Sequence, residues 1–318
     1  MKHIFILNPM AGQELPLKTL RSRFSDIDCD YEIYETKAPK DATGYVRRYC
    51  ETHKEPVRFY ACGGDGTVKE VAEGILGFPQ AGMSCVPLGS GNDFVKYYGG
   101  QHAFFDLPKL IAAKEQSIDI IRVGNEYSLN VCNFGFDSYV AKIMARVRRK
   151  KIIGGKHAYT TGILCALFAA MRNRARFIVD GEEVYDGAYL LCTISNGQYV
   201  GGAYRCAPLA KDNDGYLEFC LVKPISLLKF IRLIGAYKDG KHLTDRRFSQ
   251  ILIYRRAKTV EVFAPYDFTV SLDGELAEYR QFHAEIVPGA IRFAVPSAGL
   301  KAISTKEDGP VPVGACYE

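Results

Sequence analysis

Two glycine-rich turns carry the residue types that bind phosphate. The first, CGGDGTVKEVAEG, runs from Cys62 to Gly74, and the second, VPLGSGNDF, runs from Val86 to Phe94. Each follows an apolar run typical of a buried strand, and the first opens into helical spacing. A strand, a glycine turn and a helix direct backbone N–H groups at an anion. Each turn also carries an acid, Asp65 or Asp93, suited to a metal ion or a proton beside phosphates.

The GGDGT sequence has a plain alternative, a tight turn between a strand and a helix with no ligand. Five consecutive matching residues after a strand favour a phosphate cradle. The sequence contains no G-x-x-x-x-G-K-[ST], no G-x-G-x-x-G after its first strand, and neither H-R-D nor D-F-G. These absences argue against a Walker P-loop, a Rossmann dehydrogenase and a protein kinase.

Two further turns bring carboxylates close together in sequence. In SLDGE, Asp273 and Glu275 would face the same way on an extended chain, where such a pair can hold a proton or a metal, or act as a base toward an alcohol. An ordinary Asp-Gly hairpin turn explains this sequence equally well. In PLAKDNDGYLE, Asp212 and Asp214 form an oxygen-rich turn of the kind that binds Mg²⁺ or Ca²⁺, although a solvated hairpin turn is the usual explanation.

The first part of the chain, residues 1 to about 125, alternates apolar strands with helical patterns. Strands are predicted at HIFILN, CDYEIYET, VRFYAC and MSCVPL, and helices over Leu17 to Phe24 and Asp41 to Thr52. This alternation predicts a mostly parallel sheet, in which ligands bind beyond the carboxyl ends of the strands. The residues expected to share that crevice are Asn8, Thr36, Gly63 to Thr67 and Gly89 to Asn92.

After Asp119 the pattern changes to a helical segment over about 139–174 and then short strands separated by Asp-Gly turns. The predicted strands are ARFIVDG, EEVYDGAYLLCTIS, GYLEFCLVK, KTVEVFA, FTVSLDGE and QFHAEIVPG, with a helix inserted over about Ser226 to Tyr237. This pattern predicts an antiparallel sandwich or barrel-like β domain. The expected division is 1–125 for the α/β domain, 126–290 for the β domain and 291–318 for a final strand and tail, which could return to the first domain.

Composition sets broad limits on function. The net charge of +5 on 318 residues is too small to indicate nucleic acid, and no apolar run is long enough to span a bilayer. The ten cysteines are scattered without metal-binding spacing, as in a reduced cytoplasmic protein. The basic run RVRRKKIIGGK, at 146–156, is either a surface for anionic lipid headgroups or a solvated helix face.

These motifs, in this order, resemble the catalytic family of diacylglycerol kinases, which includes soluble bacterial lipid kinases and sphingosine kinases. The resemblance rests on NPMAG, YETKAPKDA, GGDGT, PLGSGNDF, SIDIIRVGNEYSLNVCNFGFD, PLAKDNDGYLE and SLDGE, and so covers nearly the whole chain. It implies an α/β nucleotide domain with a mostly parallel sheet, a C-terminal antiparallel β-sandwich domain, and an active site between them. The residues it implies for ATP binding are Asn8, Pro9, Gly12, Thr36, Gly63, Gly64, Asp65, Gly66, Thr67, Lys69, Gly89, Ser90, Gly91 and Asn92.

The resemblance also implies roles for acidic residues. Asp65, Asp93 and Asp119 match the family's active-site acids around a catalytic Mg²⁺. Asp273 matches the general base, with Glu275 beside it. A structural Mg²⁺ of the family matches the turn of Lys211, Asp214 and Tyr216, with the Lys and Tyr contributing backbone carbonyls. Three positions depart from the family pattern: Gln13 stands in place of a lysine, Lys69 stands in place of an asparagine, and the family's lysine shortly after the A-Y pair of the helix is missing near Gly162.

The function implied by the resemblance is transfer of the γ-phosphate of ATP to a lipid hydroxyl, with diacylglycerol as the default acceptor and Mg²⁺ as cofactor. Two alternatives stay open: a kinase for a soluble alcohol, on the model of NAD kinases, and a nucleotide-binding regulator with weak activity. The expected location is cytoplasmic, in peripheral contact with the inner surface of the membrane. The expected partners are a lipid substrate and a second copy of the chain, without nucleic acid.

Overall fold

A computed structural model of the chain describes residues 1–11, 17–136, 138 and 173–304. Several sequence-based predictions therefore fall outside the described residues: Gly12 as an ATP contact, the helical segment over most of 139–174, the basic run at 146–156, and the tail after Ser304. No helix in the described part of the chain combines the length and apolar character needed to cross a bilayer.

The N-terminal lobe is built on four parallel strands. Their order in the sheet is β4-β3-β1-β2, with every neighbouring pair parallel. The strands are β1 (Lys2–Leu7), β2 (Tyr31–Glu35), β3 (Val57–Gly63) and β4 (Ala81–Pro87). The helices of this lobe are α1 (Leu17–Arg23), α2 (Asp41–Thr52), α3 (Asp65–Ile75) and α4 (Leu107–Ile111). The helix predicted over Asp41 to Thr52 is thus confirmed at both ends.

The C-terminal lobe is mainly antiparallel. Its strands are β5 (Lys114–Val123), β6 (Glu126–Ser128), β7 (Val131–Gly135), β8 (Arg174–Val179), β9 (Glu182–Ala188), β10 (Leu191–Ser195), β11 (Leu217–Val222), β12 (Leu252–Ala257), β13 (Thr259–Leu272) and β14 (Glu275–Val295). Two helices accompany them, α5 (Leu227–Lys238) and α6 (Ser297–Ser304). The predicted fold class, an α/β domain with a mostly parallel sheet followed by an antiparallel β-sandwich domain, is confirmed.

Strands β5 and β14 belong to both lobes. Near its end β14 pairs in parallel with β4 at Phe293 and Met83, and along its length it pairs antiparallel with β5. Ile291 and Phe293 lie in the core of the N-terminal lobe, whereas Ala284 lies in the core of the C-terminal lobe. One hydrogen-bonded sheet therefore connects the two lobes through β14.

The structure corrects several predicted strand boundaries. KTVEVFA and FTVSLDGE form the single strand β13, and QFHAEIVPG continues into β14. Each strand continues past a proline because its pairing register shifts there, after Phe263 in β13 and after Val287 in β14. The stretch predicted as one strand, EEVYDGAYLLCTIS, forms two strands, with Asp186-Gly187 inside β9 and Leu191 at the start of β10. Strands β5, β6, β7 and β12 were not predicted.

Candidate active site

The carboxyl ends of the four parallel strands meet as predicted. Asn8 follows β1, and its side-chain amide donates a hydrogen bond to Thr67 Oγ1 at 3.1 Å. The backbone N–H of Thr36, which follows β2, donates to the carbonyl of Leu7 at 2.9 Å. Both glycine turns leave β3 and β4 at the same edge of the sheet, so the residues predicted to share one crevice lie along one edge.

The two glycine turns contact each other backbone to backbone. The Leu88 N–H donates to the carbonyl of Gly63 at 2.7 Å. A Cβ added at Gly89 would lie 2.6 Å from the Gly64 Cα, and one added at Gly63 would lie 2.2 Å from Thr67 Oγ1. Neither position has room for a side chain, because the backbone of the first turn lies against Gly89 and the Thr67 side chain lies against Gly63.

Asn92 closes the second glycine turn. Its φ of 48° places it in the left-handed region predicted for a turn asparagine. Its side chain accepts from the Gly89 N–H at 3.0 Å and donates to the Gly89 carbonyl at 2.7 Å. The turn therefore keeps its shape without a ligand, and Ser90 lies within it.

Helix α3 begins directly at the first glycine turn. The amides of Thr67 and Val68 donate to the Gly64 carbonyl, while those of Asp65 and Gly66, at the start of the helix, have no intrahelical acceptor. Because the positive end of the helix dipole lies at the same point, this turn can receive an anionic phosphate oxygen.

Asp65 lies at the centre of an acidic cluster. Burial, together with the charges of Asp93 and Asp273, raises the pKa of Asp65 to about 6, against an ordinary value of 3.8. Its Oδ1 accepts from the Phe94 N–H at 3.2 Å. A Cβ built on Gly91 would lie 3.1 Å from Asp65 Oδ2 and 3.7 Å from Asp93 Oδ2, which places both oxygens around one small volume. Negative charge is therefore concentrated beside the glycine turns.

Asp93 joins the two lobes. The backbone N–H of Gly202, in the C-terminal lobe, donates to both carboxylate oxygens at 3.0 and 2.9 Å. Lys96 Nζ lies 2.6 Å from Asp93 Oδ1 and 2.6 Å from the Gly202 carbonyl. Asp93 precedes the short 3₁₀ helix Phe94–Lys96 without capping it, and its carboxylate instead accepts from the other lobe.

Asp273 is held by four hydrogen bonds. Its Oδ1 accepts from Ser128 Oγ at 2.8 Å and from the amides of Asn130 and Val131 at 3.0 and 2.9 Å, while its Oδ2 accepts from the Leu129 amide at 2.6 Å. Burial raises the pKa of Asp273, whereas these donors lower it and leave a net upward shift. The carboxylate is thus fixed in orientation while its proton affinity is increased.

The Asp273-Gly274 pair is also the hairpin turn that was considered as an alternative. Both residues have positive φ, 53° and 92°, and Leu272 pairs with Glu275 across the turn. The chain is therefore not extended between Asp273 and Glu275, and the expectation that the two carboxylates face the same way is wrong. Asp273 binds the 128–131 segment, whereas Glu275 bonds to Lys69.

Lys69 was predicted to contact ATP, and its ammonium is engaged elsewhere. It is 3% exposed, with Nζ 2.5 Å from Glu275 Oε2 and 3.7 Å from Glu73 Oε1. Burial acts to lower the pKa of Lys69, but the bond to Glu275 and the nearby acids raise it overall. The ammonium therefore stays charged and links α3 to the hairpin that carries Asp273.

The Asp65–Asp93 pair has the oxygen ligands that a magnesium ion prefers, and such an ion would share Asp93 with the ammonium of Lys96. Mg²⁺ in kinase sites is commonly bound by one or two carboxylates together with substrate phosphates. The raised pKa of Asp65 shows negative charge that a cation would neutralise. The described residues contain no cluster of three or more His, Cys, Asp or Glu side chains able to hold a metal by themselves.

Asp119 does not join this acidic pair. Its carboxylate accepts from the amides of Gly215 and Gly289 at 2.7 and 2.8 Å, and its own N–H donates to the Asp212 carbonyl at 2.6 Å. It is 2% exposed. These contacts make Asp119 an anchor between β5, β14 and the 212–215 turn, and its place around the catalytic Mg²⁺ stays a prediction.

The turn predicted to hold a structural Mg²⁺ already has a cation. Asp214 Oδ2 forms an ion pair with the guanidinium of Arg256, and Asp214 Oδ1 accepts from the Tyr216 amide at 3.1 Å. The Arg256 guanidinium also lies over the Tyr216 ring, 4.2 Å from its centroid. A metal bound by Lys211, Asp214 and Tyr216 would compete with the Arg256 guanidinium for Asp214 Oδ2, and a structural Mg²⁺ at this turn stays a prediction.

Three residues important to the site were missed from the sequence. Ser128 lies in the segment NEYSLNV, where no local pattern marks it as functional, and its role requires contact with Asp273, 145 residues away. Lys96 lies two positions after the GSGNDF motif and three after Asp93, so the sequence spacing could have predicted their contact as an i,i+3 pair. No sequence signal connects Arg256 with Asp214.

Comparison with known proteins agrees with this architecture. The family model of the diacylglycerol kinase catalytic domain matches residues 2–123, and that of the YegS C-terminal NAD kinase beta sandwich-like domain matches residues 130–295. A probable lipid kinase YegS-like protein of Pectobacterium atrosepticum is 30% identical over 263 residues, covering 80% of this chain and 83% of that protein. The probable lipid kinase YegS of Salmonella arizonae is 27% identical and covers 92% and 95%.

The fold also matches solved structures. The crystal structure of a diacylglycerol kinase from Bacillus anthracis str. Sterne superimposes with a TM-score of 0.69 at 23% sequence identity. The match covers 93% of this chain and 97% of that chain. At this level of sequence identity, the likeness shows that the two chains share a fold.

Proposed function

This chain belongs to the diacylglycerol kinase catalytic family and carries its YegS-type C-terminal domain, and from this premise we propose that it transfers the γ-phosphate of ATP to the hydroxyl of a lipid, with diacylglycerol as the first candidate acceptor. The reaction class is that of a phosphotransferase with an alcohol acceptor. The proposal includes Mg²⁺ as cofactor and peripheral contact with the membrane that holds the lipid.

The observation that carries the proposal is the arrangement of hydrogen bonds on Asp273. Oδ1 accepts three of them, whereas Oδ2 accepts one, from the Leu129 amide. A carboxylate oxygen has two lone pairs, so Oδ2 keeps one acceptor position. A substrate hydroxyl could donate there, and the raised pKa of Asp273 suits a group that must accept its proton.

The remaining residues bind and orient. Amides at the start of α3 and the glycine turns would bind the phosphates of ATP, and Asn8 with Thr67 would border them. Asp65 and Asp93 would hold Mg²⁺, which supplies neutralisation of phosphate charge. Catalysis would then consist mainly of positioning and electrostatic stabilisation, as expected for phosphoryl transfer.

The test is transfer of ³²P from labelled ATP, with Mg²⁺, into a panel of lipid alcohols in mixed micelles. Wild type is compared with Asp273→Asn, and with Asp186→Asn as a control, because Asp186 is exposed on β9 far along the chain from the site motifs. We expect one lipid to be labelled, with a loss of at least about 10²-fold in Asp273→Asn and unchanged ATP binding.

Three outcomes would contradict the proposal in different ways. Full activity in Asp273→Asn would remove the assignment of the base. Labelling of a water-soluble alcohol without any lipid interface would favour the soluble-alcohol kinase. Tight ATP binding without transfer to any acceptor would favour the nucleotide-binding regulator.

A further inference from the structure

Helix α5 has an outward face that carries large apolar side chains. Leu228 is 69% exposed and Ile231 is 61% exposed. Among the described residues only Met10, in the loop after β1, exposes a larger fraction of a large apolar side chain. Gly235 lies four positions C-terminal to Ile231, and a Cβ added there would meet no atom within 4 Å. The spacing of three and four residues places these positions on one side of the helix.

The opposite side of α5 holds the helix on the lobe. Leu233 and Tyr237 are buried in an apolar cluster that also contains Phe136 and Leu191, and Phe230 packs edge-on against Phe136 with ring centroids 5.2 Å apart. Ser226 caps the helix by accepting from the Lys229 N–H at 3.4 Å. The exposed side chains are therefore presented by an anchored helix.

Basic residues border the exposed apolar face. Arg232 and Lys238 are exposed and flank this face on either side. Lys229 lies beyond Arg232 around the helix axis, and α5 contains no acidic residue. Residues 223–247 carry seven Lys or Arg and two Asp, so this stretch alone has the net charge of +5 of the whole chain. Both aspartates, Asp239 and Asp245, pair with a neighbouring cation.

We propose that α5 is a membrane-docking helix whose exposed face, Leu228 and Ile231 bordered by Arg232 and Lys238, binds an anionic lipid surface. Apolar side chains at the centre and cations at the margins match a bilayer, where acyl chains lie beneath negatively charged headgroups. A protein partner would have to supply an acidic rim around an apolar pocket, whereas an anionic bilayer presents both features everywhere. The proposal concerns binding alone and does not depend on phosphotransfer.

The test is sedimentation of the full chain with vesicles, in the absence of ATP. We expect binding to vesicles of phosphatidylcholine with phosphatidylglycerol, little binding to phosphatidylcholine alone, and weaker binding at high salt. The variant Leu228→Ser with Ile231→Ser should lower the partition coefficient about tenfold. The variant Arg232→Gln with Lys238→Gln should lower it roughly 25-fold, since each cation near an anionic surface is worth about fivefold.

Matched controls are Ile33→Ser, which removes an exposed apolar side chain from β2, and Lys301→Gln, which removes an exposed cation from α6. Both should bind vesicles like wild type. Because Leu228 and Ile231 are exposed, their replacement should leave the thermal midpoint unchanged, and phosphotransfer to a dispersed short-chain lipid should persist.

Absence of wild-type binding to anionic vesicles, or undiminished binding in both α5 variants, would overturn the proposal. Loss of a wild-type dimer in the apolar variant, with vesicle binding intact, would assign the face to a second copy of the chain.

Discussion

The ammonium of Lys69 lies 2.5 Å from the carboxylate of Glu275, although 206 positions of sequence separate them. Lys69 is part of the helix that begins at the first glycine turn, and Glu275 begins the strand after the turn that carries Asp273. The pair therefore connects the glycine-turn side of the site with the side that carries the proposed base. It also explains why a charged residue can be buried at this position of α3.

The first prediction concerns this pair. Lys69→Met should lower kcat about tenfold or more while leaving the affinity for ATP nearly unchanged, because the ammonium positions the hairpin and does not contact phosphate. The free energy of unfolding should fall by about 1 to 2 kcal/mol, a modest loss because Glu275 is 40% exposed and can be hydrated. Isothermal titration with an ATP analogue, steady-state kinetics and urea unfolding measure these quantities.

A control for the lysine substitution is Lys18→Met, at an exposed position of α1, which should change none of the three. A large loss of ATP affinity in Lys69→Met with kcat preserved would contradict this account and would support a direct contact between Lys69 and phosphate, as predicted from the sequence.

The second prediction uses the contact between the two glycine turns. Gly89→Ala should lower the free energy of unfolding by about 1 to 3 kcal/mol and weaken ATP binding, because its Cβ would lie 2.6 Å from the Gly64 Cα and force the turns apart. Gly66→Ala is the matched control within the same motif. Its Cβ would meet nothing within 4 Å inside α3, so it should be neutral or stabilise by up to about 1 kcal/mol. Equal effects of the two substitutions on unfolding would contradict this account.

The third prediction concerns the pH dependence of stability without Mg²⁺. The pKa of Asp65 is about 6 in the folded chain against an ordinary 3.8, so between these values the folded state binds the proton that the unfolded state has released. Stability from this group is therefore present at pH 4 and is lost as the pH rises through 6. Asp65→Asn should be more stable than wild type by roughly 2 kcal/mol at pH 8, and the difference should vanish near pH 4.

Urea unfolding of both chains from pH 4 to 8 in EDTA measures this difference. Adding Mg²⁺ with an ATP analogue should reduce it at pH 8, since a bound cation relieves the same repulsion. A difference that stays constant across the pH range would show that the Asp65 carboxylate is not destabilised by burial and by its acidic neighbours.

The fourth prediction concerns Arg256 at the turn where a structural Mg²⁺ was expected. In wild type, the guanidinium already neutralises Asp214, so Mg²⁺ without nucleotide should change the thermal midpoint little. Arg256→Ala should lower the free energy of unfolding by about 1 to 3 kcal/mol, because Asp214 and the nearby Asp119 and Asp212 then lack a cation. Millimolar Mg²⁺ should restore part of this loss.

The double variant Arg256→Ala with Asp214→Asn tests the cause, because it should not respond to Mg²⁺. Arg246→Ala, at an exposed position outside the turn, should behave like wild type. A strong Mg²⁺ response of the wild-type thermal midpoint that disappears in Asp214→Asn would instead support the metal site predicted from the sequence.

The α/β lobe was largely predictable because its signals are local. Apolar runs ended by glycine or asparagine mark where each strand stops, and the carboxyl ends of parallel strands meet at one edge of the sheet. Asn8, Thr36 and the two glycine turns were assigned to one crevice on that basis. The C-terminal lobe was less predictable, because β13 and β14 continue through prolines by register shifts that depend on the partner strand.

The sequence by itself determined the fold class, the family and the positions of the two glycine turns, because close approach between parts of the chain demands glycine and glycine is visible in the sequence. Only the tertiary structure decided how the charged side chains are paired: Lys69 with Glu275, Asp93 with Gly202, Arg256 with Asp214, and Asp119 with the 212–215 turn. Ion pairs and hydrogen bonds between distant residues depend on how the lobes dock on shared strands. The type of a residue and its near neighbours in sequence do not show which distant residues this docking brings into contact.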